Sequence, residues 1–143
     1  MRKIKSLIRD EKRDLLLLLT EALAAERKSM ACYEQLCLRV QGPWLKEQLE
    51  RLAREDQTAV ARLEDKIINL GGRLDTGTSQ LSSPGSVAQE LIRAWENERN
   101  GQEILRQELG LIKEDDVREL LAALLEQKKA HLVVLRDLIM RYS

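Results

Sequence analysis

The chain has 143 residues, 34% of them charged and 43% hydrophobic, with aromatics at only 3% and no phenylalanine. That length suits one domain with a real buried core, and a mix rich in Leu, Ala, Glu, Lys and Arg favours long packed helices over strands. Lys plus Arg equals Asp plus Glu at 24 each, so the basic excess of a general nucleic-acid binder is missing.

The first helical segment is expected over about residues 9–40. Arg2, Lys3, Lys5 and Arg9 fall within the first nine residues and read as a solvated helix start rather than a membrane patch. Apolar runs such as Leu15 to Leu19 fall far short of the roughly 20 residues of a membrane span. Charges interrupt every apolar stretch near the N-terminus, so no signal-peptide pattern is present. Cys32 and Cys37 lie on this segment, with Cα atoms about 8 Å apart, too far for a disulfide. A reduced, cytoplasmic protein is the expectation. No C-x-x-C pair offers a thiolate metal site.

Gly42-Pro43 ends the first segment and opens the second, over about 44–70, with Pro43 in a first-turn position where its missing N–H costs nothing. Gly71-Gly72 is a helix stop. Residues 72–85, rich in Gly, Ser and Thr and holding the other proline, form a linker. Ser86 with Gln89 has the spacing of a capping box for a third helix over about 86–109, and a fourth follows over about 114–142. Short, long, short connections predict two antiparallel hairpins joined by one long crossover. The linker can reach about 46 Å when extended, and a 27-residue helix spans about 40 Å. The fold expected is therefore an all-α antiparallel four-helix bundle in a single domain, with a crossover between helices two and three.

Apolar residues at steps of three and four define the inward seam of each helix. The seams are Leu19, Leu23, Glu26, Met30, Tyr33, Cys37, Val40; then Leu45, Leu49, Leu52, Asp56, Ala59, Leu63, Ile67, Leu70. The third is Leu91, Trp95, Glu98, Gln102, Leu105, Leu109, and the fourth is Val117, Leu121, Leu124, Lys128, His131, Leu135, Leu138, Tyr142. Each is broken by charge near its middle, at Glu26, Asp56, Glu98 and the pair Lys128 and His131. At 1.5 Å per residue, Glu26 and Asp56 lie about 24 and 20 Å from their hairpin turn, so the charges are expected at one level of the core. Buried charges must be paired or metal-bound. The formal charges of Glu26, Asp56, Glu98 and Lys128 sum to −2, which one divalent cation balances, with His131 coordinating through nitrogen. A shared proton balances a metal-free network equally well. Whether Glu55 or Asp56 faces inward stays open.

At these residues the chain resembles the ferritin-like superfamily, especially rubrerythrin and bacterioferritin, over nearly its whole length. Glu26 followed by Tyr33 is similar to the first-helix Glu and neighbouring Tyr of that family. Asp56, within the stretch Leu52 to Ala59, stands at its second-helix Glu position, and Ala59 where the family has His. Leu70-Gly71-Gly72 is similar to how many relatives end that helix. Glu98-Arg99-Asn100-Gly101 with Leu105-Arg106 resembles the third helix of bacterioferritin. His131 matches the family His, and Lys128 occupies the Glu position of its Glu-x-x-His pair. The resemblance implies an incomplete di-metal site. Its metal ligands would be Glu26, Asp56, Glu98 and His131, with Lys128 and Tyr33 beside them and iron or manganese as the ion. The favoured function is a bundle that is metal-free or holds one ion and is non-catalytic or weakly redox-active, with homodimer pairing as the implied assembly. The other readings are a di-iron or di-manganese oxidase or peroxidase of rubrerythrin type, and a helical export chaperone.

Overall fold

The computed structural model describes residues 2–75 and 85–142, with side chains from residue 11 onward. Residues 76–84 of the expected linker lie outside the described residues. Four helices follow in order: α1 (Arg2–Arg39), α2 (Pro43–Asn69), α3 (Val87–Leu109) and α4 (Asp115–Tyr142). α1 begins at Arg2, ahead of the start near Arg9 suggested by sequence. The early Arg and Lys residues have good helix propensity and no breaker stands among them.

Local chemistry sets the other ends. Gly42 takes φ 103° with Pro43 at the start of α2. Gly71 takes φ 85°, and the N–H groups of Gly71 and Gly72 donate to the carbonyls of Ile68 (2.9 Å) and Ile67 (2.8 Å). This is a Schellman closure, which needs a left-handed residue at that position. At α3 the capping box forms: Gln89 N–H donates to Ser86 Oγ at 3.1 Å and Ser86 N–H to Gln89 Oε1 at 2.9 Å.

α1 pairs with α2 and α3 with α4 as antiparallel hairpins, while α1 also packs on α3 and α2 on α4. The described ends of the linker are tied to α1. Arg27 Nη1 donates to the Asp75 carbonyl at 3.0 Å, and the Arg39 guanidinium donates to the Gly85 carbonyl. Arg27 and Arg39 are about 18 Å apart along the helix, so α3 starts at the end where α1 turns into α2.

The apolar interior is in two parts. One gathers Tyr33, Leu36, Leu49, Leu52, Leu91 and Leu135; the other gathers Leu19, Leu23, Leu63, Leu105, Leu121 and Leu124. Each fully buried Leu contributes about 1.5–3 kcal/mol. The strict seam is narrower than the real buried stripe. Leu36, off the seam, is buried, whereas Met30, Trp95, Gln102, Leu70 and Leu109 are half-buried and Tyr142 is exposed. Each helix faces two neighbours, and this widens its apolar face beyond two positions per heptad. Among the described residues no helix is long and apolar enough to cross a membrane.

Candidate metal centre

Between the two apolar parts lies a layer of ionisable side chains, one or two from each helix: Glu26 on α1, Asp56 on α2, Glu98 on α3, Lys128 and His131 on α4. All are at most 5% exposed. Asp56 is fully buried, and the adjacent Glu55 has a side chain 42% exposed that still reaches inward.

The layer divides in two. On one side, Lys128 Nζ forms an ion pair with Glu26 Oε1 at 2.7 Å and lies 3.9 Å from Glu98 Oε2. Gly101 on α3 makes room for it, since a Cβ there would stand 3.0 Å from Lys128 Cε and 3.2 Å from Nζ. On the other side, His131 Nε2 meets Glu55 Oε2 at 3.0 Å, while Nδ1 points inward, 3.7 Å from both Asp56 Oδ1 and Glu98 Oε2. These last gaps are too long for hydrogen bonds. Glu98 is oriented by Ser29 Oγ and Tyr33 Oη, which donate to its Oε1 at 2.8 and 3.3 Å. Asp56 Oδ1 accepts from Gln127 Nε2 at 3.1 Å. Asp56 Oδ2, Glu98 Oε2 and His131 Nδ1 are buried without a hydrogen-bond partner.

No family model and no curated protein sequence matches the chain, so its likeness to known proteins is one of shape. A ferritin-like diiron-carboxylate protein from Bacillus anthracis superposes with TM-score 0.77 at 22% identity, over 90% of this chain and 97% of that one. Dps from Thermosynechococcus elongatus gives 0.81 at 16% identity, over 91% and 92%. A dodecameric thioferritin, the bacterioferritin-related protein of Bacteroides fragilis, gives 0.79 at 18% identity, over 99% and 95%. The fold is ferritin-like.

A ferritin-like di-metal site takes a Glu from each of two helices and a Glu-x-x-His pair from each of the others. Here α2 offers Asp56 with Ala59 three residues on, and α4 offers Lys128 with His131. An ammonium repels metal and only donates hydrogen bonds, so the residues present do not fit two ions. They do fit one. Asp56, Glu98 and His131 each turn a donor atom toward a common point, all within 4.8 Å of one another.

The electrostatics follow from this crowding. Burial, with Glu26 and Glu98 close by, pushes the Asp56 carboxyl up to about 8. For Glu98, burial opposes ionisation, but His131 and Lys128 outweigh it and hold the carboxyl below its ordinary value. Burial opposes charge on Lys128 and His131 too, yet the surrounding carboxylates outweigh it and raise both. Burial and the nearby carboxylates keep the Tyr33 phenol protonated. Cys32 and Cys37 are buried free thiols, Cys32 pushed up to about 11 mainly by burial, so neither is a ready nucleophile.

The five residues that interrupt the seams meet at one level, with Tyr33 against them, and Glu26 is engaged by Lys128 rather than by the other three. Sequence reading missed Ser29 and Gln127, which sit beside the seam and reach in from the flank. It also read Glu55 and Asp56 as alternatives, whereas both serve the layer, one on each nitrogen face of His131. Gly101 carried a usable signal, because a glycine inside a strong helix pattern marks a close approach.

Proposed function

We propose that this ferritin-like bundle holds one divalent transition-metal ion, iron or manganese, between Asp56, Glu98 and His131, and that the Lys128–Glu26 ion pair replaces the second cation of a di-metal centre. The observation that carries this reading is the convergence of Asp56, Glu98 and His131, whose ligand atoms lie within 4.8 Å of one another and each of which keeps a buried polar atom without a hydrogen-bond partner. Carboxylate oxygens with one imidazole suit Fe²⁺ or Mn²⁺. The formal −2 of Glu26, Asp56, Glu98 and Lys128 matches a single such ion.

The chain's own groups prepare the site. Glu55 accepts from His131 Nε2–H, which leaves the Nδ1 lone pair facing the centre. Ser29 and Tyr33 hold one oxygen of Glu98 and so turn the other inward. Gln127 steadies Asp56. Lys128 balances Glu26, which would otherwise be an uncompensated buried carboxylate. A bound ion would supply Lewis acidity or a single redox electron, in keeping with a non-catalytic or weakly redox-active protein. A two-metal oxidase or peroxidase is disfavoured because Ala59 and Lys128 stand where its ligands would be.

The test is anaerobic titration of metal-depleted protein with Fe²⁺ and with Mn²⁺. One equivalent per chain is expected, and His131→Ala should weaken binding by about 10–100-fold or more. Uptake of two equivalents, or of none, would overturn the proposal. Self-association, as a homodimer or larger, completes this reading. It is supported by exposed Leu38, Val133 and Met140 and by the dodecameric assembly named for the thioferritin of similar fold. Sedimentation showing only monomer at working concentrations would count against it.

A further inference from the structure

The polar layer is covered unevenly. Asp56, Glu98 and His131 are at most 2% exposed, so an ion reaches them only when a covering side chain moves. On the α1–α3 side the cover is firm. Tyr33 is fully buried there, and together with Ser29 it already donates to Glu98. A cleft of about 100 Å³ between these helices ends at Lys128 and Glu26. An ion going on from the cleft to His131 would have to pass the Lys128 ammonium, which stands 3.9 Å from Glu98 Oε2.

On the α2–α4 side the cover is two polar side chains that reach in from the flank. Gln127, half-buried, donates to Asp56 Oδ1 at 3.1 Å. Glu55 Oε2 meets His131 Nε2 at 3.0 Å, although the Glu55 side chain is 42% exposed. Glu55 therefore touches both bulk water and a residue of the centre. Its outer oxygen is 3.8 Å from Arg51 Nε, an exposed pair too weak to hold the carboxylate outside. Side chains this exposed change rotamer within nanoseconds, so Glu55 can face water and His131 in turn. Asp56, the next residue, carries the next carboxylate inward, with Oδ1 3.7 Å from His131 Nδ1. The formal net charge of the chain is zero, so no overall field gathers cations and a local carboxylate has to attract them.

We infer that Glu55 is the entry residue for the divalent ion, capturing it from solvent between α2 and α4 and passing it to Asp56. The inference rests on the single-metal reading above and adds to it the route and the group that carries the ion along it.

The probe is Mn²⁺, mixed rapidly with metal-depleted protein and followed by loss of the free-ion EPR signal. Glu55→Gln keeps an oxygen that accepts from His131 Nε2–H but removes the charge. Its kon should fall at least about tenfold, koff should fall with it, and Kd should change much less than either. A merely positioning role would weaken Kd through koff and leave kon alone. Glu103→Gln, at an exposed carboxylate on α3, should leave kon unchanged. An unaltered kon in Glu55→Gln would overturn the inference while the metal reading stands, as would slowing that appears instead in Glu21→Gln or Glu108→Gln, whose carboxylates line the cleft. No Mn²⁺ uptake by the unsubstituted chain would overturn both.

Discussion

The Lys128–Glu26 pair is worth more by its breaking than by its making. Two charges taken out of water recover much of that cost only while they face each other. Lys128→Met alone should therefore destabilise the metal-depleted bundle by about 3–5 kcal/mol, because Glu26 is left buried and unpaired. Adding Glu26→Leu should recover most of that loss. Urea unfolding of both single variants and the double variant checks this, and a double variant no more stable than Lys128→Met would contradict it. At this scale the sequence was informative wherever a residue broke a period. Glu26, Asp56, Glu98, Lys128 and His131 all interrupt apolar seams and all prove buried. Ser29 and Gln127 break nothing, because a polar residue on a polar flank has no periodic signature, and only their reach into the layer gives them a role.

At the scale of elements, ends were legible where backbone chemistry forces them. Gly42-Pro43, Gly71-Gly72 and Ser86 with Gln89 each mark a boundary because a left-handed residue, a missing N–H or a side-chain cap is required there. The start of α1 was not, since nothing in Arg2 to Arg9 demands a stop and propensity alone lets the helix run on. The capping box at α3 follows a link that ends in the tie from Arg39 to Gly85, so its loss should loosen both. Ser86→Ala is expected to cost about 1 kcal/mol in thermal or urea unfolding, with Ser86→Gly costing only a few tenths. An unchanged midpoint for Ser86→Ala would mean that the cap bears no weight.

For the whole molecule the polar layer makes stability a function of pH. The Asp56 carboxyl, raised to about 8, holds its proton in the folded state when the unfolded chain has released it. Its contribution is therefore complete below about pH 4 and lost as pH climbs through about 8. His131, also raised, acts in the same direction, complete below its ordinary value and lost as pH passes its higher folded one. Glu98, lowered, works the other way, but only at acid pH, where its contribution is lost. Metal-depleted protein should thus lose on the order of a few kcal/mol between about pH 5 and pH 9, and Asp56→Asn should flatten that slope. A denaturation midpoint rising over this range would contradict the layer's electrostatics. Metal uptake should show the opposite trend, because cation and protons compete for the same atoms. His131 is the chain's only histidine, and its ring has one nitrogen turned toward the surface carboxylate of Glu55 and the other toward the interior. Nature has thereby installed a single imidazole gauge at mid-height: two nitrogen resonances, free of overlap, that report without any engineered label whether proton, ion or neither sits at the heart of the bundle.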